Sequence, residues 1–312
     1  MKVNAYAMVL ASFAADSLAL GVHWIYDTAL IDKQYGRVER LLKPSGKSYH
    51  PTKELGELTH YGDQTLMLLQ TLAESSVFKP DAFARNWQDF FKTYQGYVDQ
   101  ATRKTLENIR NGKGPLESGS SSSDLGGAAR ISPLVFLYRD DPDGFAAATR
   151  AQTAMTHNHS HVIDSAEFFA RIAAKVLHKT PPGTAIQSVL AENFNLDPFK
   201  QWVSDGVASA GRETRVAISG FGQMCEIGAA FPAVIHLLTR YQDNLKEALV
   251  ENAMAGGDSA ARGMIAGMIL GAYQGMDAIP ADWLADLKCR ETVKQMLDQL
   301  DPEGNSGLPS GG

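Results

Sequence analysis

The chain has 312 residues, is 44% hydrophobic and 21% charged, and carries a formal net charge of −6; this is the makeup of an ordinary globular protein with enough length to bury a substantial core. The acidic balance and the lack of any lysine-arginine run argue against general nucleic-acid binding, which leaves a basic patch or stripe. Two cysteines, Cys225 and Cys289, make neither a disulfide framework nor a metal motif, so a reducing cytoplasm is the expected setting.

Apolar residues recur almost everywhere at helical spacing. The stretch 5–20 has the faint look of a secretion signal after Lys2, but Asp16 interrupts it and Asp27 follows, so it is read as the first helix. Further helices are expected over 64–75, 79–94, 102–111, 127–138, 141–153, 161–178, 183–193, 197–210, 224–241, 244–255, 259–275 and 282–300. Only 215–219 looks strand-like. Pro80-Asp81, Asp141-Pro142 and Pro280-Ala281-Asp282 mark helix starts. No linker divides the sequence, which predicts an all-α, single-domain multi-helix bundle over 1–300. The Gly-, Pro- and Ser-rich stretch 301–312 is expected to be a loose tail. The apolar run 264–273 is shorter than the roughly 20 residues needed to span a bilayer, and no membrane association is expected.

One helix is unusual. Gly263, Gly267, Gly271 and Gly275 form a stripe, and each interior glycine costs about 1 kcal/mol against alanine. Close approach of another backbone would offset that cost. Ala7, Ala11, Ala14, Ala15 and Ala19 give the first helix a matching small face, so the two helices should cross and carry Asp16 toward Asp258.

Four polar junctions stand out. Asp16 interrupts an apolar helix that leads to His23 and Trp24, and a carboxylate there needs partners. HYGDQT (His60–Thr65) places Asp63 as a helix cap, while GGDSAARG (Gly256–Gly263) places Asp258 as another. The serine-rich loop before Ala128, with Ser123 and Asp124, could cradle a phosphate through main-chain N–H groups. THNHSH brings His157 and Asn158 to a helix start; without an HExxH pattern or a cysteine partner, a zinc site there is not expected.

In this order the segments resemble the ADP-ribosylglycohydrolase family, which also contains the J-crystallins. The resemblance rests on Ala15-Asp16-Ser17-Leu18, YGDQT at Tyr61–Thr65, AARISPL at Ala128–Leu134, THN at Thr156–Asn158, the stretch from Cys225 to Pro232, and GGD at Gly256–Asp258 leading into GAYQG at Gly271–Gly275. It implies an all-α fold with a central cleft and cleavage of the glycosidic bond of ADP-ribose by two magnesium or manganese ions. The family's ligand runs, Thr-Asp-Asp-Thr and Gly-Gly-Asp-x-Asp-Thr, are only partly kept. Asp63, Thr65 and Asp258 match, whereas Gly62, Gln64, Ala260 and Ala261 replace ligands. Two anionic ligands should hold magnesium weakly, although Gln64 still offers a carbonyl oxygen.

The resemblance therefore implies a hydrolase with an altered metal site or none. Asp63 and Asp258 would be its catalytic and remaining metal-binding carboxylates. Asp16, His23, Ser123, Asp124, His157, Asn158 and Arg262 would contact an ADP-ribosylated protein or a small nucleotide-like substrate. The alternative is an inactive ADP-ribose-binding or crystallin-like structural protein.

Overall fold

The computed structural model describes residues 2–301. Among them the order is α1 (Lys2–Leu20), α2 (Thr28–Tyr35), α3 (His60–Ser75), α4 (Pro80–Thr93), α5 (Gln100–Arg110), α6 (Ser132–Leu137), α7 (Pro142–Thr156) and α8 (Ser160–Leu177). There follow α9 (Pro182–Asn193), α10 (Phe199–Ala208), α11 (Thr214–Phe221), α12 (Ile227–Arg240), α13 (Leu245–Met254), α14 (Ser259–Gln274), α15 (Ala281–Asp286) and α16 (Arg290–Leu300). The described residues contain no strand, only two isolated β-bridges, Ser120 with His157 and Asp124 with Glu226. The fold is all-α, as expected.

At its centre α1 crosses α14, and the glycine stripe is the reason they can meet. An ideal Cβ on Gly267 would lie 2.5 Å from the Ala11 carbonyl oxygen, and one on Gly271 2.6 Å from that of Ala7. Both helices are buried on every side, the mark of core helices. The apolar window Val3–Leu20, long enough on paper to cross a membrane, is 89% buried inside the protein. Apolar side chains from α8, α12 and α13 complete the same core.

Several boundaries differ from expectation for local reasons. The stretch 215–219 lies inside α11, whose Ala217 and Ile218 are buried while Val216 is exposed; a short apolar run reads alike for strand and helix. A helix at 28–35 was not expected; Asp27 caps it, accepting from the backbone N–H groups of Ala29 and Leu30. Residues 282–300 divide into α15 and α16. The expected helix 127–138 is a 3₁₀ turn at Leu125–Gly127 followed by α6. Of the expected tail, 301–312, all but Asp301 lies outside the described residues; Asp301 accepts a 2.7 Å hydrogen bond from Arg139.

The close crossing makes a quantitative prediction. Gly267→Ala gains about 1 kcal/mol of helix propensity but drives a methyl group into a backbone carbonyl that cannot rotate away. Overpacking should win, for a net loss of about 1–3 kcal/mol in chemical denaturation. At Gly263 the first obstacle is the Asn252 side chain at 3.0 Å, so Gly263→Ala should lose less. Equal or greater stability of Gly267→Ala would contradict the crossing.

Candidate active site

The helix crossing delivers the start of α14 and the chain leaving α1 to the first turn of α3. That helix begins at His60, four residues earlier than expected, so its cap is Thr59 and Asp63 sits inside the first turn. Asp16 holds the cap: Oδ2 accepts from Thr59 N–H at 2.7 Å and Oδ1 from the Thr59 hydroxyl at 2.5 Å. An ideal Cβ on Gly62 would lie 2.3 Å from Asp16 Oδ2. Gly62 leaves the space that this buried carboxylate occupies. Burial pushes the Asp16 carboxyl up to about 6, against the opposing Thr59 hydrogen bonds.

Asp258 caps α14, accepting from Ala261 N–H. The preceding Gly256 and Gly257 have φ of 69° and 64°, a left-handed pair that suits glycine, and a Cβ on Gly257 would lie 2.1 Å from the Gln223 carbonyl oxygen. Arg262 is fully buried and fastens this turn by donating to Asn252 Oδ1 at 3.0 Å, Gln223 O at 3.2 Å and Gly256 O at 2.6 Å. The Asp258 carboxylate accepts from His23 Nε2 at 2.9 Å and from the Tyr61 hydroxyl at 3.2 Å. Burial opposes its ionisation, but His23, the Arg262 charge and the Ala261 N–H together hold it below the usual carboxylate range.

The Tyr61 bond joins the two carboxylate-bearing helix starts, because Asp63 follows two residues later. Asp63 Oδ2 accepts from Lys53 Nζ and from the Tyr94 hydroxyl, each at 2.5 Å. Its side chain is 14% exposed. Burial raises its pKa, and the Lys53 cation opposes the rise. Asp16 and Asp258 thus both bond α3, at Thr59 and Tyr61, rather than each other.

The positions left over from the two-metal pattern do not suit magnesium. Gln64 Oε1 accepts from Trp87 Nε1 at 2.9 Å and from Arg130 Nη1. This corrects the expectation of a free carbonyl oxygen, and the Arg130 cation beside it repels a metal ion. The Thr65 hydroxyl bonds back to Tyr61 O at 2.9 Å. Ala260 and Ala261 are buried methyl groups that offer no side-chain oxygen. A magnesium pair needs several oxygen ligands, and this donor set does not provide them.

Next to Asp258 lies a feature that motif reading left out. His23, His50 and His60 are buried together, with His23 Nδ1 3.0 Å from His50 Nε2. His60 Nε2 is 3.3 Å from Asp99 Oδ2. Trp24 stacks on His23 with centroids 4.3 Å apart, and Tyr49 and Tyr97 meet Trp24 edge-on. Trp24 has φ of 64°, strained for a bulky side chain; the stack and a 2.9 Å bond from its N–H to Gly257 O fix it. His50, Lys53 and Tyr49 belong to the long connection between α2 and α3, which has no periodicity to flag them.

The serine loop, Ser120–Asp124, lines a cavity of about 620 Å³ together with Arg103, Lys104 and Glu107 of α5, the last two paired at 3.0 Å. The loop is pinned by Leu125 N–H to Cys225 O at 2.8 Å and Ile227 N–H to Ser123 O at 2.8 Å. Asn158 donates its N–H to Ser120 O at 2.7 Å and is itself exposed. His157 is buried against Gly127 and bonds the Thr156 hydroxyl. Burial lowers its pKa to about 3. Of the expected substrate contacts, Ser123, Asp124 and Asn158 reach the surface. Asp16, His23, His157 and Arg262 are buried and make internal hydrogen bonds.

The ADP-ribosylglycohydrolase family model matches residues 2–307. Crystallin J1A of Tripedalia cystophora is 23% identical over 317 residues, covering 96% of this chain and 96% of that protein. ADP-ribosyl-[dinitrogen reductase] glycohydrolase of Rhodospirillum rubrum is 23% identical over 258 residues, covering 78% of this chain and 79% of that enzyme. Among solved structures, an ADP-ribosylglycohydrolase-related protein complex superposes with a TM-score of 0.76 at 20% identity, over 97% of this chain and 98% of the other.

Asp16 gives the site a measurable pH signature. Its folded pKa of about 6 lies above the ordinary 3.8, so the native state binds its proton more tightly. Its contribution is fully present below the unfolded pKa and is lost as pH rises through the folded one, a swing of about 3 kcal/mol. Asp16→Asn cannot titrate. The stability of the variant relative to wild type should therefore rise by about that amount between pH 4 and pH 7. A pH-independent difference in urea unfolding would contradict the assignment.

Proposed function

The chain belongs to the ADP-ribosylglycohydrolase family, and we propose that it is a hydrolase of that type with an altered metal site. Its substrate would be an ADP-ribosylated protein or a small nucleotide-like molecule, cleaved at the ribosyl glycosidic bond. One observation carries this reading: the Tyr61–Asp258 bond brings Asp258 to the helix turn that bears Asp63, and Gly126, which packs on the Tyr61 ring, follows the Ser120–Asp124 wall of a cavity also lined by Arg103, Lys104 and Glu107. The loop hydroxyls and the Arg103 guanidinium suit a diphosphate. Trp24, Tyr49 and Tyr97, the last just ahead of the cavity-lining Gln100, suit a base, which stacks on aromatic rings.

In this reading Asp63 is the general base. It reaches solvent, and its raised pKa moves it toward neutrality, where a base works best. Lys53 opposes the rise and favours the ionised form, and the Tyr94 hydroxyl orients the carboxylate. Asp258 is an anchor: with His23 and Tyr61 it fixes the floor of the cleft. The crystallin similarity favours a second reading, a cleft that binds without turnover, because both oxygen-poor ligand runs and the engaged Asp63 weaken a two-metal mechanism.

Release of ADP-ribose from ADP-ribosylated arginine, serine and nucleotide substrates, followed by chromatography, tests the proposal. Asp63→Asn should lower turnover by at least about 100-fold with an unchanged thermal midpoint. Full activity in the variant would remove Asp63 from the mechanism. ADP-ribose binding without turnover of any substrate would establish the second reading.

A further inference from the structure

We propose that His23, His50 and His60 form a transition-metal site, with zinc as the best fit. One ring nitrogen from each lies within 4.8 Å of the others, and all three residues are buried. In a tetrahedral zinc site, with Zn–N near 2.0–2.1 Å, ligand nitrogens stand about 3.3 Å apart. The His23–His50 pair is already at 3.0 Å, a distance that two ligands of one ion share with a simple hydrogen bond.

The surroundings distinguish a ligand set from a packed cluster. Metal-binding histidines typically hand their second ring nitrogen to a carboxylate, which fixes the tautomer and raises basicity. His23 does so with Asp258 at 2.9 Å, and His60 faces Asp99 at 3.3 Å. That leaves His23 Nδ1 and His60 Nδ1 as lone pairs. His60 Nδ1 is buried without a hydrogen-bond partner, a costly state for a polar atom that a metal ion would relieve. Burial lowers the pKa of His23 and His50, which keeps both imidazoles neutral, the form that binds metal. Asp258 and Asp99 balance the charge of a dication. Imidazole suits zinc and its neighbours, whereas magnesium prefers oxygen.

Three histidines leave one tetrahedral position for water or substrate oxygen. The use of that position in catalysis rests on the hydrolase reading; metal binding does not. The test is therefore direct. Protein stripped with EDTA is titrated with Co²⁺ and then Zn²⁺, and metal content is measured on the full chain. One Co²⁺ per chain is expected, with the intense visible absorption of a four- or five-coordinate site, displaced by Zn²⁺ and not by excess Mg²⁺. Asp99→Asn should weaken binding about 10–100-fold, and His50→Asn should abolish the absorption. Should His50→Asn not fold, X-ray absorption on the zinc-loaded wild type decides, with three imidazole nitrogens expected. An all-oxygen shell, no cobalt spectrum, or unchanged affinity in a folded His50→Asn would overturn the proposal. Zinc binding without hydrolysis would support the site and count only against its catalytic use.

Discussion

Everything in the cleft depends on two backbones passing within van der Waals reach of each other. The stripe of Gly263, Gly267 and Gly271 lets α14 lie directly on Ala7, Ala11 and Ala15 of α1. Only the methyl groups of Ala11 and Ala15 stand between the two backbones. α14 begins at Asp258, and the chain leaving α1 delivers His23 to the same point, closing a 2.9 Å bond. The glycines weaken an isolated helix, and burial on every side outweighs that loss. Packing at the centre thus sets the position of polar groups at the rim.

The rim shows how a loss at one position is matched at another. Gly62 admits the Asp16 carboxylate, which in turn caps α3 through Thr59. Gln64 is neutral where the family pattern has a carboxylate, and its oxygen is held by Arg130 and Trp87. Methyl groups at Ala260 and Ala261 remove two more donors. Near these positions lie the imidazoles of His23, His50 and His60, with carboxylates beside His23 and His60.

Much of this was legible in the sequence, and the illegible part has a physical pattern. Helical periodicity gave the all-α class, and the repeated glycines gave the α1–α14 crossing, because both signals are local and repetitive. Asp258 was recognisable as a cap from the double glycine before it. Asp63 reads as a cap in the same way, but Thr59 caps the helix a turn earlier and leaves Asp63 inside the first turn. Arg262 reads in the sequence as a substrate contact, and in the structure its donors meet Asn252 and two carbonyls. His50 and Tyr49 lie in an aperiodic connection, and Asp99 reads only as a helix cap. Their meeting with His23 and His60 is a property of tertiary packing that no spacing rule reports.

The central claim is that the rim joining α3 and α14 is a ligand site for an ADP-ribose group. Calorimetric titration of the wild-type chain with ADP-ribose, in EDTA and after zinc loading, tests it most directly. The account predicts saturable one-to-one binding that Arg103→Ala and Trp24→Ala weaken and that added magnesium leaves unchanged. Absence of binding under both conditions, or binding indifferent to both substitutions, would contradict it.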